Sequence, residues 1–344
     1  MGYNRHIATF CPASNVTPSA VIQVKRGIGD VMWHLPFIRA IAAVSPGRRV
    51  TFLAPPSSGA RELLAAEPSI AETIYFEHSG SQLKRGVNLV RLVGLLRRRQ
   101  FHAVWIFDRT IRPALAARIA GVPERIGLGL GAQKLFITNP GIDQSHFHDY
   151  PVEWLSALMA AMNVPLATTE PALCLPNETL AAIGEKYKQW SRPWIVLGIG
   201  ASHPEKDWPD VHWAEFLAGL RGRTAGTVFL IGGSANIARA QNLIAHGAGA
   251  PAVNACELAL VEAAALLQHA DLFVGPSSGP MNIAAATATE TFALFGSTVV
   301  LNYSKFIHAI EPPGGASADG MRRILPAQVL EAVAPYLARQ KAHH

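Results

Sequence analysis

Short, uninterrupted apolar runs alternate with segments of helical spacing along most of the sequence, and this alternation restricts the possible folds more than any other feature. Such runs between helices are typical of parallel strands that are buried on both faces. Strands and helices that follow each other in this way predict doubly wound parallel sheets. In the first half we predict strands over 20–24, 49–54, 73–76 and 104–107, and helices over 30–44, 58–66, 83–99 and 114–120.

The second half repeats the pattern after a stretch over 165–178 that carries prolines and threonines. There we predict strands over 194–199, 227–231, 272–274 and 292–295, and helices over 213–220, 238–245, 261–269, 283–288 and 327–340. The fold class is therefore α/β, with two Rossmann-like domains facing each other across a cleft. We place the first domain at 1–170, the second at 171–325, and a C-terminal helix in 326–344, for which packing back on the first domain is one option.

Composition excludes several classes of protein. The 344 residues are 49% hydrophobic and 16% charged, which excludes a disordered or fibrous chain. The three cysteines are far apart in sequence, which excludes a disulfide scaffold and a CxxC zinc site. No apolar run approaches the ~20 residues that span a bilayer, and the first residues do not resemble a secretory signal, so we expect a cytoplasmic location.

A formal net charge of +6 favours anionic partners such as nucleotides, phosphorylated sugars or anionic lipids. The cationic runs that we single out are Lys84-Arg85 and the triplet at 97–99. These runs are either solvated helix faces or contacts with an anionic membrane or acceptor phosphates. Nucleic acid is disfavoured as a partner because the basic residues lack interleaved aromatic residues.

The first strand leads into a glycine turn that ends at Asp30. From the spacing alone, Asp30 is either the N-cap of the following helix or a carboxylate that removes a proton from a hydroxyl. A dinucleotide site is disfavoured, because a third glycine is missing and Asp30 would repel a pyrophosphate. The neighbouring residues that we expect to contact an acceptor are Lys25, Arg26, Gly29 and His34.

A second strand ends in Gly-Ile-Gly at Gly200 and is followed by Ala201, Ser202 and Lys206. Lysine is a compact cation that can neutralise a phosphate oxygen. The alternative is an ordinary surface loop that happens to hold Lys206. A further strand ends in a turn that contains Gly233 and Asn236, which either touches a ribose or is an ordinary turn.

The third segment is a loop of small residues before an Ala-rich helix, with Ser277, Ser278 and Gly279 followed by Pro280, Met281 and Asn282. Hydroxyl groups and free backbone N–H groups at a helix N-terminus form an anion site. A serine that merely caps the helix explains the start of the helix equally well. The sequence contains no Asp-x-Asp triplet, nucleophile elbow, Walker A loop or His-Glu-x-x-His motif, so we expect neither a metal nor a bound cofactor.

Taken in order, these segments resemble the heptosyltransferases of glycosyltransferase family 9. The resemblance runs over about 21–298 and rests on four motifs in a fixed order. The first two are Gly29-Asp30 before a helix with Pro36, and Gly200-Ala201-Ser202 with Lys206 and Trp208-Pro209. The last two are Gly275-x-Ser-Ser-Gly-Pro-Met and Phe295-Gly296-Ser297-Thr298. It implies a GT-B fold, with the acceptor on the first domain and the nucleotide-sugar on the second. It also implies metal-independent, inverting transfer, usually from ADP-heptose to the lipopolysaccharide inner core.

Carried onto this chain, the resemblance makes Asp30 the general base, Lys206 the phosphate contact and residues 275–279 part of the nucleotide site. The chain has Ser277 where the family usually has Asp, Asn282 where it usually has His, Asn236 where an acidic residue often stands, and Val24 where it has a basic residue.

Three functions remain open at this point: a heptosyltransferase, a GT-B enzyme of another nucleotide-sugar (an epimerase among them), and a non-catalytic nucleotide-binding protein. The implied partners are a nucleotide-sugar, a lipid-linked or glycan acceptor and, peripherally, the inner membrane.

Overall fold

The computed structural model describes residues 18–201, 203–247, 251–301 and 303–341. Ser202, which the sequence placed in the donor site, lies outside the described residues, as does Cys11.

The first of two sheets has five parallel strands in the order β3-β2-β1-β4-β5. Its strands are β1 (Ser19–Ile22), β2 (Val50–Ala54), β3 (Ile70–Tyr75), β4 (Ala103–Ile106) and β5 (Glu124–Gly127). The helices of this half are α1 (Ile28–Val44), α2 (Ala60–Leu63), α3 (Gln82–Arg99), α4 (Ile111–Ala120) and α5 (Pro151–Ala161).

The second sheet has six parallel strands in the order β11-β10-β9-β6-β7-β8. Its strands are β6 (Trp194–Gly198), β7 (Thr227–Ile231), β8 (Ala252–Asn254), β9 (Leu272–Pro276), β10 (Glu290–Leu294) and β11 (Ile307–Ile310). The helices are α6 (Asn177–Tyr187), α7 (Asp210–Gly219), α8 (Ile237–Gly247), α9 (Leu260–His269), α10 (Gly279–Ala286), α11 (Gly320–Arg323) and α12 (Pro326–Lys341).

The apolar core forms three layers. Side chains of α3 and α4 cover one face of the first sheet, and side chains of α7, α8 and α12 cover one face of the second. The middle layer is continuous between the sheets and includes side chains of α1, α5, α6, α9 and α10. Because burial of one large apolar side chain contributes about 1.5–3 kcal/mol, this shared layer holds the two sheets together.

Each sheet reverses its strand order once, and these two points position the site. β1 lies between β2 and β4, and β6 lies between β7 and β9. At such a point the loops leaving neighbouring strands diverge to opposite faces and open a crevice in which ligands bind. The loops after β1, β6 and β9, which the sequence singled out, all lie at these two points.

The two-sheet α/β architecture confirms the predicted fold class. Helices α5, α6 and α11 were missed, as were strands β5, β8 and β11. The strands were missed because they are only three or four residues long and carry polar residues. The predicted boundary at 170/171 lies in the extended stretch between α5 and α6.

The described part of the C-terminal helix packs on the second half of the molecule. α12 lies against α7 and β10 of the second half, and Leu330 occupies the space beside Gly219. The apolar side chains of this helix are buried in the outer layer of the second sheet. Within the described ranges, no helix is both long enough and apolar enough to cross a bilayer.

A buried ion pair joins α1 to the turn before β3. Glu67 is 3% exposed and accepts hydrogen bonds from Nε of Arg39 at 3.2 Å and from Nη2 at 2.5 Å. Burial alone raises the pKa of Glu67, but the hydrogen bonds from Arg39 and Ser69 outweigh it and lower the pKa below its ordinary value. The pair therefore stabilises the fold only while Glu67 is ionised.

Replacing Glu67 with Gln is expected to lower the free energy of unfolding by about 2 kcal/mol, somewhat less than for a fully buried pair. The reason for the smaller loss is that Arg39 is 31% exposed and stays partly hydrated. Urea unfolding of the purified protein measures the difference.

The pH dependence of the free energy of unfolding provides a second test of this ion pair. Because the folded-state pKa is depressed, the contribution of Glu67 is complete above its ordinary value of 4.5 and is lost as the pH falls below it. Arg99→Gln, which removes an exposed pair with Glu72, is the matched control and should cost less than about 1 kcal/mol. Equal losses in the two variants would contradict the role of Glu67.

Candidate active site

The N-termini of α1 and α10 are in direct contact, and this contact brings the first and third sequence segments together. A Cβ atom on Gly29 would lie 2.3 Å from Nδ2 of Asn282. One on Gly279 would lie 3.2 Å from Cβ of Ile28. Only a residue without a side chain allows this approach at position 29, and the result is that two positive helix ends face one cleft.

The second segment reaches the same place from β6. A Cβ atom on Gly198 would lie 3.8 Å from Cβ of Pro280 at the start of α10. The turn after β7 joins it, because Asn236 donates a hydrogen bond to the carbonyl of Gly232 at 2.6 Å and its Nδ2 would lie 2.9 Å from a Cβ on Gly200. All four predicted segments therefore converge at the carboxyl ends of the strands.

Asp30 is the third residue of α1, so the N-cap alternative is wrong in detail: the N-cap is Gly27. One carboxylate oxygen accepts a hydrogen bond from the backbone N–H of Gly27 at 3.2 Å. The other lies 3.6 Å from Nζ of Lys25, and the side chain remains 28% exposed. Burial raises the pKa of Asp30, although Lys25 and the Gly27 N–H act in the opposite direction. The result is a solvent-accessible carboxylate of increased basicity, as a general base requires.

His34 lies on the buried side of the same helix. Its ring is 1% exposed, packs edge-on against Phe107 and donates from Nδ1 to Oε1 of Gln23 at 2.5 Å. Burial and the charge of Lys25 lower the pKa of His34 to about 3, so the ring is neutral. The expected contact between His34 and an acceptor is therefore wrong, because the ring does not reach the cleft.

The other predicted acceptor residues lie at the surface. The guanidinium of Arg26 contacts the hydroxyl of Ser57 at 3.4 Å, and the charge of Arg26 helps to lower the pKa of His78. A small cavity beside Val24 is lined by Arg85, which the sequence analysis named as part of a cationic run, and by two residues that it missed, His78 and Arg112. Nδ1 of His78 is buried without a hydrogen-bond partner in the described part of the chain. These residues lie on different elements, and no sequence motif connects them.

Two polar atoms at the start of α10 also lack partners. Ser278 occupies the N-cap position but its side chain makes no capping hydrogen bond. Within the described residues, Oγ of Ser278 and Oδ1 of Asn282 are buried and unpaired. Asn282 donates from Nδ2 to the carbonyl of Ser278 at 2.8 Å. A buried polar atom without a partner costs free energy. The hydroxyl of Ser278 can donate to an anion and therefore favours the anion-site interpretation over simple capping, whereas Oδ1 of Asn282 can only accept a hydrogen bond from a donor group of a ligand.

Lys206 is half-buried at the end of a short 3₁₀ turn, Pro204–Lys206. Within the described ranges it makes no ion pair with a carboxylate. The carboxylates that follow it are instead held by Arg239 of α8, which binds Asp207 at 2.8 Å and Asp210 at 2.6 Å. Arg239 also donates to the carbonyl of Ile199 at 2.5 Å, so it fixes both ends of the loop. Arg239 was missed because its partners are about 30–40 residues away in sequence and no motif marks them.

The remaining predicted residues lie around these groups. Gly233 has a left-handed φ of 75°, which suits its position in the turn after β7. Pro280 and Met281 belong to the first turn of α10, and Ala201 follows Gly200 at the edge of the cleft. No group of three metal-ligating side chains occurs in the described part of the chain.

The model of glycosyltransferase family 9 (heptosyltransferase) matches residues 89–307, more than half of the sequence. The chain belongs to glycosyltransferase family 9. It is therefore a glycosyltransferase. Lys206 and the segment 275–282 lie inside the matched residues, whereas Asp30 precedes them.

Individual relatives agree with this membership. Lipopolysaccharide heptosyltransferase 2 of Salmonella typhimurium is 26% identical over 283 residues, which are 78% of this chain and 80% of that protein. Lipopolysaccharide heptosyltransferase 3 of Escherichia coli is 31% identical over 120 residues, 34% of this chain and 33% of that protein.

Two solved structures share the fold of this glycosyltransferase. The E. coli ADP-heptose LPS heptosyltransferase II has a TM-score of 0.74 and 22% identity, and the match covers 94% of this chain and 100% of that chain. The family 9 glycosyltransferase of Veillonella parvula has a TM-score of 0.76 and 18% identity, with 94% and 97% covered. These likenesses confirm the GT-B type of architecture.

The contact between α1 and α10 can be tested by the sign of the stability change that one substitution causes in two backgrounds. Gly29→Ala is expected to destabilise the protein by about 1–3 kcal/mol, because the new Cβ collides with the amide of Asn282. In the background of Asn282→Ala the same substitution should be neutral or stabilising, because alanine is the better helix former by about 1 kcal/mol. Thermal unfolding of the four proteins in the cycle measures the coupling. If Gly29→Ala has the same effect in both backgrounds, the two helices do not meet at Asn282.

Proposed function

We propose that this glycosyltransferase transfers a heptose from ADP-heptose to a sugar of the lipopolysaccharide core or a related glycan, with inversion at the anomeric carbon and without a metal. The observation that carries the proposal is the junction of α1 and α10, where a basic carboxylate and an anion site face one cleft. The names of the relatives support the choice of heptose, and the cations around the cleft support an anionic donor.

The first step is the removal of a proton from the acceptor. Asp30 accepts the proton of an acceptor hydroxyl as that oxygen attacks the anomeric carbon of the donor. The bond between the anomeric carbon and the diphosphate breaks at the same time, and its electron pair leaves with the nucleoside diphosphate. Attack from the face opposite the leaving group inverts the anomeric configuration.

The second requirement is to stabilise the negative charge on the departing diphosphate. Lys206 supplies a cation, and the first N–H groups of α10 with the hydroxyls of Ser277 and Ser278 supply hydrogen-bond donors. The unpaired Oγ of Ser278 is positioned at this helix start. Arg239 forms ion pairs with Asp207 and Asp210, so these carboxylates do not neutralise Lys206.

The third requirement is to bind the acceptor on the first half of the molecule. Lys25, Arg26 and Arg112 lie near Asp30 or the cavity beside Val24, and they suit an acceptor that carries acidic groups. We propose a lipid-linked acceptor at the cytoplasmic face of the inner membrane, and no cofactor beyond the nucleotide-sugar itself.

The identity of the donor is tested by calorimetric binding of ADP, UDP, GDP, CMP and ADP-heptose. Ser277 and Asn282 stand where the family usually has an acidic residue and a histidine, but serine and asparagine still donate and accept hydrogen bonds. Selective binding of ADP and ADP-heptose supports the proposed donor. Preference for another nucleotide would keep the transferase and replace the donor.

Asp30→Asn is expected to reduce kcat by about 10²–10⁴-fold, because the amide cannot accept the proton. In the wild type, kcat/KM should rise with pH through the raised pKa of Asp30, since only the ionised carboxylate is a base. Transfer from ADP-heptose to a soluble core oligosaccharide is the assay.

Lys25→Met provides the accompanying control for the pH profile. Loss of the cation 3.6 Å from Asp30 should raise the pKa of the carboxyl further and move the acid limb to higher pH. An Asp30→Asn enzyme with turnover like that of the wild type would remove Asp30 from the mechanism.

Lys206→Ala is expected to weaken the binding of ADP by about 10–100-fold, because a charge-assisted hydrogen bond to a phosphate oxygen is lost. Isothermal calorimetry measures the change. The matched control is Lys186→Ala on α6, an exposed lysine of the same half that lies outside the four loops. If both variants bind ADP as the wild type does, Lys206 has no role in the donor site.

A further inference from the structure

Helix α3 carries an apolar ridge on its exposed face. Leu83 is 80% exposed, Val87 is 44% exposed and Val90 is 70% exposed. Their spacing of four and then three residues places them on one side of the helix, and Gly94 continues the same line. The opposite side of α3 is buried through Leu92, Val93 and Leu96. The ridge therefore faces away from the protein.

A row of cations borders this ridge. Lys84, Arg91 and Arg98 recur every seven residues, so they lie in line along about 21 Å of helix. Within the described residues, none of the three forms an ion pair or a side-chain hydrogen bond. α3 contains no acidic residue at all. The helix thus presents an aliphatic ridge beside three unneutralised charges.

The structure also separates these cations from others in the two dense runs of the sequence. Arg99 pairs with Glu72 at 2.7 Å, and Arg97 donates to the carbonyl of Ile119 at 2.8 Å. Arg85 is exposed, but it lines the cavity beside Val24 and lies outside the row of Lys84, Arg91 and Arg98. Of the run 97–99, Arg98 alone belongs to the row.

We propose that the exposed face of α3 docks on an anionic lipid bilayer, with Leu83, Val87 and Val90 inserted at the interface and Lys84, Arg91 and Arg98 on the headgroups. An aliphatic ridge flanked by cations suits such a surface, because the apolar side chains can enter the acyl-chain region while the cations contact the anionic headgroups. An acidic protein or a nucleic acid would satisfy the charges, but nucleic acid has no aliphatic layer to receive the ridge.

The position of α3 relates this surface to the acceptor. Leu89 of α3 and Val24, the residue before Lys25, line the same cavity. α3 therefore lies beside the segment that leads to Asp30, on the half of the molecule that carries the proposed acceptor site. This relation rests on the proposed function, whereas the docking itself rests only on the surface of α3.

The test is co-sedimentation with mixed phosphatidylglycerol–phosphatidylcholine vesicles and with vesicles of phosphatidylcholine alone. The wild type is expected to bind the mixed vesicles and not the neutral ones. The triple variant Lys84→Gln, Arg91→Gln, Arg98→Gln should reduce the partition coefficient about a hundredfold, at about fivefold for each cation near an anionic surface.

Two further variants separate this docking from general electrostatics. The triple variant Leu83→Gln, Val87→Gln, Val90→Gln keeps the charge and should also lose most of its binding. The control variant Lys134→Gln, Arg223→Gln, Arg322→Gln removes three exposed cations elsewhere and should bind as the wild type does. Equal loss in the control, equal binding to neutral vesicles, or no effect of the apolar triple overturns the proposal.

Transfer to a soluble acceptor without lipid distinguishes the two proposals. Both α3 variants should keep wild-type kcat on that acceptor, and their unfolding temperatures should show that they are folded. If Asp30→Asn retains turnover while the vesicle results hold, the proposed function fails and the docking stands. If Asp30→Asn loses turnover and the wild type ignores anionic vesicles, the docking fails and the function stands.

Discussion

The contact between the first turns of α1 and α10 is the constraint on which the rest of the cleft depends. Two helices with aligned backbone dipoles meet at their positive ends, and only the missing side chain of Gly29 allows the amide of Asn282 to lie there. The same contact is continuous with the apolar layer shared by the two sheets. As a result, the carboxylate of Asp30 and the start of α10 are positioned by packing and not by a flexible connection.

The architecture could be predicted from the sequence because strands buried on both faces leave an unmistakable pattern of short apolar runs. The pattern was weakest at the sheet edges, where β8 and β11 contain polar residues and gain their pairing from neighbours distant in sequence. The C-terminal helix showed a similar limit. The apolar side of this helix was evident, but the sequence did not show that the helix packs on α7.

The site was predicted to a similar degree. Glycine turns after strands mark where a chain can approach a ligand, and on that ground the sequence predicts Asp30, Lys206 and Ser278 as site residues. The structure places Asp30 and Ser278 at the starts of two helices that are in contact. The predicted contact of His34 with an acceptor was wrong because a helical residue four positions after Asp30 can face either the cleft or the interior. The sequence does not show the hydrogen bond to Gln23 that holds the ring in the interior. Arg239 and His78 were not found at all, since each depends on partners that only the folded chain brings near.

The buried pair of Gln23 and His34 has a consequence for how such an enzyme can vary. Gln23 accepts from the imidazole and donates from Nε2 to the carbonyl of Lys25 at 3.0 Å, so an interior amide holds the backbone that carries the ammonium group. That ammonium group in turn opposes the rise in the pKa of Asp30. Substitutions at two buried residues could therefore retune the acidity range of catalysis while every group exposed in the cleft stays the same.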